Sequence, residues 1–354
     1  MLLLETFGAV FDEVNFAVMT GLMQVQRRNL RQQSSDLEKL QRLAELAKLP
    51  PDKLFLAPPL PEVKRTAVNR PPQLAGVGRN YRLERLTFPS VFESGKPNND
   101  MVAGWWAYRP GRETAPTIIY AHGWMAYDPG MWLRMPLSWA APLGYNVLML
   151  ELPYHMSRTP PGTRSGELSI TADLPGAVVT AQQGVSDIRQ VVKWLRAQGV
   201  EKIGLLGKSL GGLMSSLTVV AEPELDCAVL LIPAVDAGAS LWHSTYTRLV
   251  RYDLARQGID EAMTSQALGA MNPTRQRPAI DPHRVLIIVA TADRACPPAE
   301  TEKLAAAWKA PLERIPLGHL SAGFTSQARD YSRLFFAKWL MAKNQEDIHK
   351  DRQD

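Results

Sequence analysis

Through the second half of the chain, apolar residues come in short continuous runs, separated by stretches in which they recur every three or four positions. The runs are TIIYA from Thr117, NVLMLEL from Asn146, KIGLLG from Lys202, CAVLLIP from Cys227 and RVLIIVA from Arg284. Runs of this kind predict strands buried on both faces. Val185, Ile188, Val191, Val192 and Leu195 share one helical face over Gly184 to Ala197, and Leu213 to Val220 reads as a second helix. Leu312 to Ile315 supplies one more strand and Gln327 to Met341 a closing helix. Strands alternating with helices predict an α/β fold with a mostly parallel, doubly wound sheet.

The first part of the chain is patterned differently. Leu3, Phe7, Val10, Phe11, Val14, Val18 and Leu22 lie close to helical spacing and precede the basic QRRNLR, so residues 1 to about 33 predict an amphipathic helix. That helix is a candidate for peripheral membrane contact or for dimerisation, and the plainer reading packs it on the body of the protein. Glu5, Asp12 and Glu13 would be repelled by anionic lipid. A second helix is predicted from Asp36 to about Lys48: Ser35 and Glu38 form a capping-box pattern, Leu37, Leu40, Leu43 and Leu46 share a face, and Pro50-Pro51 stops it. From Pro50 to Gly78 the chain is rich in proline and reads as an arm over the surface. Tyr81 to Phe88 and Val102 to Tyr108, separated by GKPNND, read as a hairpin at one sheet edge. The expected organisation is an extension and arm over 1–78 and a main domain over 79–350. Within the latter, about 236–283 carries SLWHSTYTRLVRYDLARQGIDEAM, which reads as a small helical cap.

Composition narrows this picture. The 354 residues are 45% hydrophobic and 21% charged, ordinary for a globular protein. No stretch approaches the roughly 18 uninterrupted apolar residues of a membrane span. The net charge of +5 comes from scattered Lys and Arg, which does not indicate nucleic acid. Cys227 and Cys296 make neither a disulfide framework nor a metal set, and no basic residue precedes Arg27, so a cytoplasmic protein is expected.

The candidate chemistry centres on Gly207-Lys208-Ser209-Leu210-Gly211, a G-x-S-x-G pentapeptide between a predicted strand and a predicted helix. A serine at the tip of so sharp a turn needs neighbours without a Cβ, which Gly207 and Gly211 supply. As a nucleophile it needs a base and an acid. Asp293 follows the strand ending at Ala290, and His319 lies between the last strand and the closing helix, so both emerge at carboxyl ends of strands. Asp236 is a competing acid.

The order Ser209, Asp293, His319 resembles the α/β-hydrolase superfamily over roughly Tyr81 to Lys343. The loops around Asp293 and His319 look most like the dienelactone-hydrolase and prolyl-oligopeptidase-like branches. The resemblance implies that His122-Gly123-Trp124 lends an oxyanion-hole N–H, so that the backbone donors are Trp124 and Leu210, with His122 fixing the loop. It implies a serine hydrolase that cleaves a small-molecule carboxylic ester or related acyl bond without metal or organic cofactor. Acyltransferase and peptidase activities use the same triad, and an idle hydrolase-like binding protein is the reading from another class. Met125, Tyr127, His155, Trp242 and Tyr246 are candidates for the pocket. Glu151 and Arg158 read as pocket residues or, more plainly, as an ion pair shaping their loop. The charge of Lys208 either favours an anionic substrate or simply meets solvent.

Overall fold

The computed structural model describes residues 37–341 apart from Leu56. The amphipathic helix expected within the first 33 residues, and the Ser35 cap, lie outside the described residues. Nine strands form one sheet: β1 (Lys64–Ala67), β2 (Arg82–Pro89), β3 (Met101–Tyr108), β4 (Thr117–Ala121), β5 (Asn146–Leu150), β6 (Ile203–Lys208), β7 (Cys227–Leu231), β8 (Val285–Ala290) and β9 (Leu312–Ile315). Their order is β1-β2-β3-β5-β4-β6-β7-β8-β9. The first three strands pair antiparallel, as do β3 and β5, and every pair from β5 to β9 is parallel.

The principal helices are α1 (Leu37–Leu46), α2 (Pro129–Ala140), α3 (Leu174–Ala197), α4 (Leu210–Ala221), α5 (Ala237–His243), α6 (Arg248–Arg256), α7 (Glu261–Ala267), α8 (Pro298–Trp308), α9 (His319–Ala322) and α10 (Ser326–Leu340). Alternate residues of the central strands feed two cores. Ile119, Leu148, Leu205, Leu230 and Ile287 face the side covered by α1, α3, α4 and α8. Ile118, Val147, Leu206, Val229 and Ile288 face the side covered by α2 and α10. Because both faces are covered, the strands lack a polar side, and this is why they appear in the sequence as unbroken apolar runs.

One expectation is corrected. The hairpin β2–β3 is not the sheet edge, because β1, from the proline-rich arm, pairs with β2 from Lys64↔Thr87 to Ala67↔Glu84. The arm is also fastened elsewhere: Gln182 Nε2 donates to the Leu54 carbonyl at 3.0 Å, Arg189 Nη1 to Phe55 at 2.5 Å and Lys193 Nζ to Pro58 at 2.6 Å. It therefore lies packed along α3. Helices α5 to α7 occupy the region expected to form a cap. Among the described residues, no helix is long and apolar enough to cross a membrane.

Candidate active site

The turn after β6 holds Ser209 at φ 56° and ψ −116°, a conformation that L-residues seldom adopt. Its surroundings impose that shape. A Cβ on Gly207 would lie 2.4 Å from the Gly211 carbonyl oxygen, and one on Gly211 would lie 2.1 Å from that of Ala121, so side chains at either position would collide with backbone. The Ser209 N–H donates to the Leu231 carbonyl at 3.1 Å, and the Ser209 carbonyl accepts from Leu213 and Ala234, each at 3.1 Å. The strained residue is thus tied to α4 and to the loop after β7.

Asp293 and His319 reach Ser209 from two adjacent loops. Beyond the β8–β9 ladder, Thr291 N–H donates to the Ile315 carbonyl at 2.9 Å and Ala292 N–H to that of Leu317 at 3.0 Å, so the loops leave the sheet in fixed register. Asp293 Oδ1 accepts the backbone N–H groups of Ala295 and Cys296, both at 2.8 Å. Its Oδ2 accepts from His319 Nδ1 at 2.6 Å. With the imidazole proton on Nδ1, Nε2 presents a lone pair, and it accepts the Ser209 hydroxyl at 2.8 Å. Burial acts to lower the His319 pKa, but the neighbouring Asp293 carboxylate overrides it and carries the pKa well above 6.5. Asp236 sits elsewhere: it caps α5 by accepting from Ala239 N–H at 3.0 Å and binds Asn272 Nδ2 at 2.6 Å.

The loop after β4 passes close to the serine, where a Cβ on Gly123 would stand 3.6 Å from that of Ser209. Two buried histidines hold this loop. His122 Nδ1 donates to the Gly123 carbonyl at 2.8 Å while its Nε2 accepts from Leu152 N–H at 3.0 Å. His155 Nδ1 donates to the Pro153 carbonyl at 2.9 Å while its Nε2 accepts from Met125 N–H at 3.2 Å. Burial lowers both pKa values, that of His155 to about 4, so both rings are neutral at pH 7. Trp124 Nε1 donates to the Gly166 carbonyl at 2.7 Å. No acceptor for the backbone N–H of Trp124 or Leu210 occurs among the described residues, and Leu210, as the first residue of α4, has no intrahelical partner for its N–H.

Ser209 opens into a cavity of about 110 Å³, to which Trp124, Trp132, Ile170, Leu210 and Tyr246 contribute walls. The Tyr246 ring centre lies 6.3 Å from that of His319. The other expected pocket residues do not line it. Met125 is turned by a left-handed backbone (φ 59°) and tied to His155, which is itself wholly buried behind the loop. Tyr127 is 65% exposed, and Trp242 packs against the apolar core. His243 pairs with Glu261 at 2.7 Å on the surface. Glu151 and Arg158 do not pair through their side chains: Arg158 meets Asp187 at 2.8 Å with both side chains fully buried, while the Glu151 carboxylate accepts from Trp105 Nε1 and from Ser157.

Cys296 and Ile170 are among the lining residues that the sequence does not mark for the site. Cys296 lies beside His319 and Ser209, and burial raises its thiol pKa. Its only sequence signal is its distance of three residues from Asp293. Donor atoms of Asp293, Cys296 and His319 lie within 4.8 Å of one another, but the His319–Asp293 hydrogen bond already uses atoms a metal ion would need. Ile170, from the segment before α3, carries no local signal at all.

Residues 177–315 match peptidase S9, the prolyl oligopeptidase family. Two uncharacterised proteins from strains of Mycobacterium tuberculosis are 35% identical over 127 residues, 35% of this chain and 30% of theirs. The match thus spans under a third of the length of these relatives. Among solved structures, an acetyl xylan esterase from Paenibacillus sp. R4 superposes with a TM-score of 0.59 at 15% identity, covering 88% of this chain and 98% of that one. Acetyl xylan esterase 1 from Thermoanaerobacterium sp. JW/SL YS485 gives 0.59 at 15% identity, over 90% and 98%. The Pyrococcus horikoshii acylaminoacyl peptidase gives 0.55 at 16% identity, over 75% and 43%. The strand order and these likenesses show that the chain has the α/β-hydrolase fold.

Proposed function

We propose, from an α/β-hydrolase fold whose 177–315 segment is similar to the prolyl oligopeptidases, that this chain is a serine hydrolase of carboxylic esters or related acyl bonds. The observation that carries the reading is the unbroken chain from Ser209 Oγ to His319 Nε2 at 2.8 Å and from His319 Nδ1 to Asp293 Oδ2 at 2.6 Å. Ser209 Oγ attacks the carbonyl carbon as His319 Nε2 takes its proton. The developing oxyanion is held by the backbone N–H groups of Trp124 and Leu210, a type of donor worth about 2.7–4 kcal/mol in the transition state. Asp293 fixes the tautomer and stabilises the imidazolium. His319 then protonates the leaving group, and water, activated by the same imidazole, releases the acyl group.

An ester is favoured over a peptide because the esterase structures named above align over 98% of their length, against 43% for the peptidase. Both cysteines are free and buried, which suits a reducing compartment such as the cytoplasm. The deciding experiment is labelling with a fluorophosphonate probe beside hydrolysis of a short p-nitrophenyl ester. Wild type labels and turns over; Ser209→Ala does neither, with a melting temperature close to wild type. Turnover retained in Ser209→Ala would overturn the reading.

A further inference from the structure

Lys208 precedes the nucleophile and lines the same cavity, yet it is only 3% exposed. No carboxylate or carbonyl meets its Nζ among the described residues. Its surroundings are instead two aromatic faces, Phe324 with its ring centre at 4.1 Å and Trp132 at 5.6 Å. The backbone presses on it as well, since a Cβ on Gly323 would come within 2.5 Å of Lys208 Cε and 2.6 Å of Nζ. The side chain is therefore confined to one channel, and of the groups around its ammonium Trp132 also lines the catalytic cavity.

An ammonium in such a place is costly. Burial without an anionic partner sacrifices hydration that cation–π contacts restore only in part. A leucine or methionine would fill the same channel without that cost. In a low-dielectric cavity, however, an unpaired cation attracts an incoming anionic oxygen far more strongly than it would at the surface. The remaining walls are largely apolar, so the anion would face one strong partner beside a greasy surface, a common pattern in orienting sites.

We propose that Lys208 forms an anion subsite within the catalytic cavity, selecting ester substrates that carry a carboxylate close to the scissile bond. This deepens the serine-hydrolase reading and rests on it for the identity of the bond cleaved, while the anion site itself can be tested without turnover. The carboxylate sits either on the acyl group or on the leaving group; both present the same chemistry to Nζ.

Two substrate pairs separate these sources. Mono-4-nitrophenyl glutarate against 4-nitrophenyl butyrate reads the acyl side, and 4-acetoxybenzoate against phenyl acetate reads the leaving-group side. In wild type the anionic member of one pair has the higher kcat/KM. Lys208→Met lowers that anionic-to-neutral ratio by about tenfold or more, as expected for loss of a charged hydrogen bond, and Lys208→Arg restores part of it. A ratio unchanged by Lys208→Met in both pairs overturns the proposal. Binding of glutarate and of butyramide to the Ser209→Ala protein, followed by calorimetry, gives an independent reading. Glutarate binds more tightly than butyramide, and adding Lys208→Met removes the difference. If glutarate affinity depends on Lys208 while ester turnover does not depend on Ser209, the serine-hydrolase reading falls and the subsite stands. Serine-dependent turnover with no effect of Lys208 on either readout sinks the subsite alone.

Discussion

His155 Nε2 accepts the backbone N–H of Met125 at 3.2 Å, joining a buried histidine outside the catalytic cavity to the loop that carries a candidate oxyanion donor one residue away. Replacing it with leucine would keep the apolar volume but leave Met125 N–H without its acceptor and the Pro153 carbonyl with the Ser169 hydroxyl alone. The expected outcome for His155→Leu is a fall in kcat of about tenfold to a hundredfold with a smaller change in KM, since loop placement matters most when the oxyanion forms. His155→Gln, which can both donate and accept, should recover part of the loss. Steady-state kinetics on a short ester, with circular dichroism to confirm folding, checks this. Equal proportional losses for Leu and Gln would argue against a positioning role.

The acid limb of the pH profile should report His319. The imidazole must be neutral at Nε2 to take the serine proton. Burial pushes its pKa down, but the Asp293 carboxylate carries it well above 6.5, so activity is lost as pH falls through that raised value. The kcat/KM profile should therefore have an acid-side midpoint above 6.5, the ordinary histidine value. Asp293→Asn removes the charge and moves the midpoint down, with a rate loss on the order of 10³–10⁴-fold. A midpoint that stays in place in Asp293→Asn would mean that another group sets it.

Lys208 should cost the protein stability. Burial lowers its pKa from 10.5 to about 8, and the other titratable groups among the lining residues of its cavity are Tyr246, Cys296 and His319. Below pH 8 the lysine is protonated in both folded and unfolded chains, and the penalty is constant. Between about 8 and 10.5 the unfolded chain holds a proton that the folded one has released, so stability rises with pH in that window. Lys208→Met should thus be more stable than wild type at pH 7 by about 1–3 kcal/mol, the lost cation–π contacts offsetting part of the gain. Denaturant unfolding at pH 7 and pH 10 measures it, and the gap between the two proteins should narrow at the higher pH.

Acyl length should be limited by the cavity. At about 110 Å³ it is smaller than the roughly 150 Å³ that accommodates benzene in an engineered core. Among p-nitrophenyl esters, acetate to butyrate should exceed octanoate in kcat/KM by about tenfold or more, because a longer chain must displace packed side chains. A rate that climbs steadily to octanoate would show that the cap opens.

Much of this arrangement is legible in the sequence, and the reasons are local. Ser209 is flanked by glycines because backbone carbonyls stand within 2.4 Å of where their Cβ atoms would be, a demand visible in five residues. Strand β4 reads as a strand because TIIYA is buried at every position. Strand β1 does not, because all four residues of KRTA are exposed and the element exists only through its pairing with β2. The partner of Arg158 is hidden from the sequence for a similar reason: Asp187 lies 29 positions later, inside α3, and nothing in the local pattern links them. Met125 and Tyr127 lie outside the cavity lining for reasons of local geometry: Met125 takes a left-handed backbone and is held by His155, and Tyr127 faces solvent.

The parallel pairing of β8 with β9, continued by the Ala292–Leu317 hydrogen bond, also sets the order in which the site comes into being. During synthesis the chain emerges from its amino end, so the segment that carries Ser209 is free to fold before the segment that carries His319. The base arrives only with the final strand and is delivered by the same ladder that closes the sheet. On the proposed mechanism, a chain that lacks β9 and the loop after it also lacks the group that would take the serine proton, so activity would depend on the last edge of the sheet.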